Sequence, residues 1–281
     1  MSITAAMIKE LRDRTGVGMG KCKEALEEAK GDMELAITNL RKAGIASAVK
    51  KEGRAANEGM IAVAENKDRI ALIEVNAETD FVVKNERFQE FLKDMAEEVV
   101  KTNPASLEGF LNQMSSKDPS LTVDQLRATI VQAIGENIQI KRFIIIPKVS
   151  DKSIGTYSHL GGKIVSLVEI AGDANEEALA KDIAMHVAAA APEYLSSEKV
   201  PESIVAAEKD IAASQMQDKP ANMMENIIKG KLKAFYDQVC LLNQKYIKDD
   251  QVTIEELVAK HGKQNGKQLK VVNFLRWNVG Q

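Results

Sequence analysis

The spacing of apolar residues changes character along the chain, and each change marks an element. Ile3, Met7, Ile8 and Leu11 recur at the period of one helix face, and Thr15-Gly16 stops the run. Cys22, Ala25, Leu26 and Ala29 form a second stripe, ended by Gly31. Asp32 is placed to cap a third helix, with Met33, Ala36, Ile37 and Leu40 on one face. Between Ala43 and Gly59 large apolar residues thin out while Lys50, Lys51 and Arg54 appear, which predicts a linker. Strand signals follow: Met60 to Ala64 and Arg69 to Val75 flank Asn66-Lys67-Asp68, a hairpin turn. Helical spacing returns in Phe88, Phe91, Leu92, Met95 and Val99. Thr122 and Gln125 form a capping-box pattern before Leu126 and Ile130, and Asn137 to Ile146 predicts a strand closed by Pro147. Gly161-Gly162 joins a second hairpin, Ile154 to Leu160 with Lys163 to Ile170.

This pattern occurs twice. Thr122-Val123-Asp124-Gln125-Leu126 matches Thr253-Ile254-Glu255-Glu256-Leu257, and Gly135, Ile138, Ile140 and Phe143 match Gly266, Leu269, Val271 and Phe274 at the same separation. Leu72-Ile73-Glu74-Val75 matches Leu167-Val168-Glu169-Ile170 at a shorter one, so the second half contains an insertion. Between Pro192 and Asp250 the chain reads as two helical runs broken at Gln217-Asp218-Lys219-Pro220. Ile204, Ala207, Ile211 and Ala212 share a face of the first; Met224, Ile227, Ile228, Leu232 and Phe235 share a face of the second. Such an antiparallel helical hairpin is either a contact element or a surface elaboration. The predicted fold is α+β: a helical bundle and linker over 1–53, a first core half over 54–147, a second over 148–198 and 241–281, and the hairpin over 199–240.

Composition narrows the classes. Hydrophobic residues make up 44% of the 281 and aromatics only 4%, so the cores are aliphatic and an all-β sandwich or barrel is disfavoured. A net charge of −3 removes the basic footprint of a nucleic-acid binder. No apolar run approaches the ~18 residues of a membrane span, and Lys9, Glu10, Arg12 and Asp13 stand where a signal peptide needs an apolar run. Cys22 and Cys240 belong to no spaced pair, which suggests a reducing compartment and a cytoplasmic protein.

Catalytic patterns fail. Thr15-Gly16-Val17-Gly18-Met19-Gly20-Lys21-Cys22 lacks the first Gly and the final Ser or Thr of a phosphate loop, and a helix rather than a strand precedes it. A helix-to-helix turn with positive-φ glycines is the expected structure. His159, His186 and His261 have no partner at ligand spacing, so no metal site, no cofactor and no enzyme is expected. His186 reads as a satisfied core residue and His159, beside a hairpin tip, as a surface one. The informative feature is an asymmetry between the halves. The first matched strand is followed by Glu78-Thr79-Asp80-Phe81-Val82-Val83-Lys84, the second by Asp173-Ala174-Asn175-Glu176-Glu177-Ala178-Leu179, with no aromatic. Phe81 is either a staple of the helix entry or an exposed anchor beside a carboxylate, the kind of group that dominates interfaces.

Several of these segments together resemble the bacterial elongation factor Ts family, the nucleotide-exchange factors of elongation factor Tu. Leu11-Arg12-Asp13-Arg14-Thr15-Gly16-Val17-Gly18-Met19 with Cys22-Lys23-Glu24-Ala25-Leu26 is similar to its N-terminal signature, and Thr79-Asp80-Phe81-Val82 to its central motif. Ile134-Gly135-Glu136-Asn137-Ile138, Tyr157-Ser158-His159 and Asp182 to Ala189 also match. The resemblance implies a ubiquitin-associated-like bundle, a duplicated α+β core and a coiled-coil hairpin. It implies that Asp80 and Phe81, within Thr79 to Val83, approach the GTPase near its magnesium and switch region. Further contacts carried over are Arg12, Met19, Lys23, Lys51, Ile134, Gly135 and His159. Elongation factor Tu is then the partner, GDP-bound or nucleotide-free, with a dimer or a two-plus-two complex left open. Some members continue into a C-terminal helix that touches the GTPase; here the sequence stops at Gln281, so that contact is expected to be missing. The rival from another class is a protein-interaction adaptor built on the N-terminal bundle alone. A nucleotide-binding enzyme would need the failed glycine loop, and an RNA binder a basic face.

Overall fold

Three helices open the chain: α1 (Ala5–Thr15), α2 (Met19–Glu28) and α3 (Met33–Lys51). Thr4 caps the first by accepting from the Met7 N–H at 3.3 Å, and Asp32 caps the third by accepting from the Leu35 N–H at 2.9 Å. Leu11, Val17, Cys22, Leu26, Ala36 and Leu40 form their core. Then come β1 (Glu58–Glu65), β2 (Arg69–Ala77), α4 (Asp80–Val83), α5 (Glu86–Thr102), α6 (Leu107–Asn112), α7 (Val123–Ile134) and β3 (Ile138–Pro147). The computed structural model describes residues 3–214 and 221–281. Its contacts divide the chain into two units, Met1–Pro147 with Asn278–Gln281, and Lys148–Trp277.

In the first unit the sheet order is β1-β2-β3, with both pairings antiparallel. Ala71, Ile73 and Val75 of β2 pack against Phe88, Phe91, Leu92, Met95 and Val99 of α5 and Val131 of α7. The opposite face of β2 holds Glu74, fully buried, which accepts from Arg142 Nε of β3 at 2.8 Å and from the Gly280 N–H at 2.9 Å.

One expectation is corrected here. Ala43 to Lys51 is the second half of α3, not a linker. Its small residues let it approach α7: a Cβ at Gly44 would meet Gln132 Oε1 at 2.9 Å and the Ala128 carbonyl at 3.3 Å. Ala48 is buried in the same core as the first sheet. Low apolar content marked a close helix contact rather than a flexible connection.

The second unit repeats the plan with β4 (Lys152–His159), β5 (Ile164–Ala171), α8 (Glu177–Ala190), α9 (Glu202–Ser214), α10 (Ala221–Val239), β6 (Lys245–Tyr246), β7 (Asp249–Thr253), α11 (Ile254–Gln264) and β8 (Lys270–Asn278). Its main sheet has the order β4-β5-β8, the counterpart of β1-β2-β3. Thr122 with Gln125 and Thr253 with Glu256 both form complete capping boxes. Glu169, the repeat of Glu74, is buried like it and accepts from Asn273 of β8 at 2.7 Å, and Asn273 is the repeat of Arg142. The duplication therefore reaches down to a buried carboxylate on each central strand.

In the inserted hairpin two of the expected face residues, Ala212 and Phe235, are buried or packed, and two are not. Val205 and Phe235 pack with Val200, Val239 and Cys240, whereas Ile204 and Ile211 are exposed. The predicted break at Gln217-Asp218-Lys219-Pro220 lies outside the described residues.

His186 of α8 is fully buried. The Ile247 N–H donates to Nδ1 at 3.3 Å, so Nε2 carries the proton and donates to Gln244 Oε1 at 2.9 Å. Burial pushes its pKa below the ordinary value, and the neutral ring has both nitrogens satisfied. As pH falls, the unfolded chain therefore takes up this proton first. The stability is fully present above about pH 6.5 and is lost as pH drops toward the depressed folded value. Thermal melts from about pH 7.5 to about pH 5 should decline for the native chain, and His186→Gln should flatten that decline. Equal slopes would rule His186 out as the cause. The depressed carboxylates Asp118, Asp173, Glu176 and Glu256 act below that window, because their unfolded values lie near 3.8 to 4.5.

Candidate protein-docking site

At the end of β2 the chain turns through Glu78 and Thr79 into the single turn α4. Thr79 is the N-cap and accepts from the Val82 N–H at 3.4 Å. Its own hydroxyl donates to Glu136 Oε1 at 2.7 Å and its N–H to Glu136 Oε2 at 3.0 Å. Glu78 accepts from the Asn137 N–H at 2.6 Å. Two carboxylates thus tie the corner to the turn between α7 and β3, and charge-assisted bonds of this kind are strong and directional.

Within α4 the side chains diverge. Val82 and Val83 enter the core and are buried, so they anchor the corner. Phe81 points the other way and is 79% exposed. The staple reading of Phe81 is thereby excluded. Asp80 pairs with Lys84 at 2.9 Å, and Lys84 Nζ lies 5.9 Å from the Phe81 ring centroid. A bare aromatic ring on a braced corner is a preorganised anchor, because little backbone freedom remains to be lost on docking.

The corner borders an open concavity of about 590 Å³. Arg12, Gly16, Gly18 and Met19 of the bundle line it, with Phe81, Val82, Asn85 and Arg87 of the corner and α5, and Ala133 and Ile134 of α7. Of the residues singled out in the sequence, Arg12, Met19, Phe81, Val82 and Ile134 therefore come together. Met19 is 47% exposed. Gly135 caps α7 with φ 96°, and its carbonyl accepts from Lys51 Nζ at 2.7 Å. Burial, with Lys21 and Arg54 nearby, holds the Lys51 ammonium below its usual pKa. Lys51 thus joins α3 to the α7 end. Lys23 does not line the concavity; it pairs with Glu27 at 3.6 Å on the surface of α2. Arg87 and Asn85 were missed, and no sequence signal marks them.

The glycine loop is a helix connection. Only Gly16 takes a positive φ, 71°, where its N–H donates to the Arg12 carbonyl at 2.7 Å; Gly18 has φ −59° and Gly20 lies inside α2. The expected helix-to-helix turn is present, with Gly16 supplying its positive-φ position. Among the described residues no cluster of His, Cys, Asp and Glu could hold a metal ion, and no helix is long and apolar enough to cross a membrane.

In the second unit His159 ends β4 at the hairpin tip. It stacks on Tyr157 with ring centroids 5.9 Å apart, and the tyrosine hydroxyl lies 3.2 Å from Nδ1. Leu160 beside it is 70% exposed. The corner that repeats the Phe81 corner is closed instead of open. Lys267 bonds Asp173 at 3.1 Å and buried Glu176 at 2.8 Å, and His261 bonds Glu176 at 2.8 Å. Lys267 first, then His261, holds the Glu176 carboxyl below its usual range.

Among known proteins, residues 78–281 match the family described as Elongation factor TS. The chain is 67% identical over 280 residues to "Elongation factor Ts" of Protochlamydia amoebophila, with 100% of this chain and 99% of the relative covered. It is 46% identical over 273 residues to the proteins of that name from Chlamydia muridarum and Chlamydia trachomatis, with 97% of each chain covered. The duplicated sheet, the Thr79 to Val83 corner and full-length identity of this degree agree: the chain belongs to the elongation factor Ts family.

Proposed function

We propose that this chain accelerates GDP release from elongation factor Tu by seating Phe81 in an apolar slot of the GTPase, beside its magnesium site. As a member of the elongation factor Ts family it is a nucleotide-exchange factor for elongation factor Tu and performs no covalent chemistry. The work is done by linkage. A factor that binds the nucleotide-free GTPase more tightly than the GDP form must weaken GDP binding by the same ratio. A thousandfold ratio requires about 4 kcal/mol, within reach of one or two aromatic anchors. The observation that carries the reading is the exposure of Phe81 on a corner braced by Glu136.

In this reading Phe81 displaces the elements that hold Mg²⁺, leaving the GDP phosphates under-neutralised, and Asp80 contacts the same region. Arg12, Met19 and Ile134 extend the contact around the concavity, Lys51 and Gly135, bonded to each other, contribute at the adjoining end of α7, and His159 adds a separate contact. GTP then rebinds in the cytoplasm, where it is in excess over GDP. The test is release of a fluorescent GDP analogue from elongation factor Tu with and without this protein. Acceleration supports the reading; an unchanged rate, or direct binding of the analogue to this chain alone, overturns it.

A further inference from the structure

Arg87 stands in an unusual place. It follows the N-cap of α5, Asn85, whose side chain accepts from the Arg87 N–H at 3.0 Å. From there its guanidinium reaches the turn after α1, where a Cβ on Gly16 would fall on it. Gly16 is the left-handed cap of α1 and is bonded to the Arg12 carbonyl, so Arg87 is brought next to the helix end that carries Arg12. Both arginines line the concavity beside Phe81, and no carboxylate lines it. Among the described residues neither has a carboxylate partner, whereas Arg14 of the same helix pairs with Glu34 at 2.7 Å. Two like charges lining one concavity, neither paired with a carboxylate, raise its potential and favour an anion there.

We infer that Arg87, with Arg12, forms a two-guanidinium rim that receives an acidic side chain of the partner GTPase as Phe81 seats. The inference rests on the proposed function above. The occupant is assigned by charge, because the rim is cationic and carries no acid, and by continuity with the Phe81 anchor. A planar guanidinium suits a carboxylate better than an ammonium does, since it offers two parallel N–H donors.

The test is the association rate of the full chain with GDP-bound elongation factor Tu over a series of salt concentrations, read by release of fluorescent GDP. A rim charge acts mainly on the rate of encounter. Arg87→Gln should lower the association rate roughly five- to tenfold at low salt, with the difference shrinking toward ~1 M salt, where screening is nearly complete. Arg87→Lys should restore most of the low-salt rate, and Arg87→Glu should lower it further than Gln does. A purely structural brace over Gly16 predicts otherwise: a lowered melting temperature, a rate loss independent of salt and no rescue by Lys. That pattern, or a native salt slope in Arg87→Gln, overturns the inference. Failure of the underlying reading looks different, because then neither the native chain nor Phe81→Ala alters GDP release.

Discussion

Phe81→Ala slows stimulated GDP release by one to three orders of magnitude and leaves the melting temperature nearly unchanged. The two halves of this expectation have separate causes. Phe81 is 79% exposed, so its removal leaves no cavity; surface changes of this kind stay within about 0.5 kcal/mol. On docking, the same ring would pass from water into an apolar slot, and losing a central aromatic anchor costs about 1.4–4 kcal/mol of interface energy. The neighbouring Val83→Ala should behave in the opposite way. Val83 is buried beneath the corner, so its truncation lowers the melting temperature and affects exchange only through the folded fraction. Denaturation and exchange measured on both variants separate anchor from support. Native exchange in well-folded Phe81→Ala would remove Phe81 from the mechanism.

Gly155→Ala has the largest expected effect on stability. Gly155 lies on β4 opposite Val168, and a Cβ there would fall on the backbone of α8 at Ala180 and Lys181. No flexible side chain can move aside, so the helix must lift from the sheet. Overpacking of this kind reaches about 3 kcal/mol, a fall of roughly 6–12 °C in a protein of this size. Gly230→Ala is the matched control. Gly230 lies within α10 with nothing near its missing Cβ, so the same added methyl should be neutral or stabilise by up to ~1 kcal/mol. If both variants melt alike, contact between α8 and β4 is not what requires glycine at 155.

Much of the fold was legible because it rests on local rules. Alternation and turn residues predicted both hairpins, and capping residues predicted the starts of α3, α7 and α11. The internal repeat predicted two sheets of one plan, since matched residues must occupy matched positions. The errors share one origin. A run of small residues predicts a linker but forms the second half of α3, and Ile204 of the apolar stripe is exposed while Val205 packs, because apolar content does not by itself measure packing. Small residues pack closely too, but the surface that they approach comes from a distant part of the chain.

The candidate site divides along the same line. The sequence by itself determined that Phe81 is singular: it stands at a corner whose repeat has no aromatic, in a chain with few aromatics, within a motif that resembles one family. Which way the ring faces was not fixed by the sequence, because a Phe at a strand-to-helix corner fits a staple of the helix entry as well as an exposed anchor, and the staple is the commoner role. Tertiary structure decided it through Glu136, more than fifty residues away in the chain, whose carboxylate fixes Thr79 and so turns Val82 and Val83 inward and Phe81 outward. Tertiary structure alone likewise placed Arg87 over Gly16. A helical period specifies which residues share a face, whereas the identity of the facing element depends on how distant segments pack.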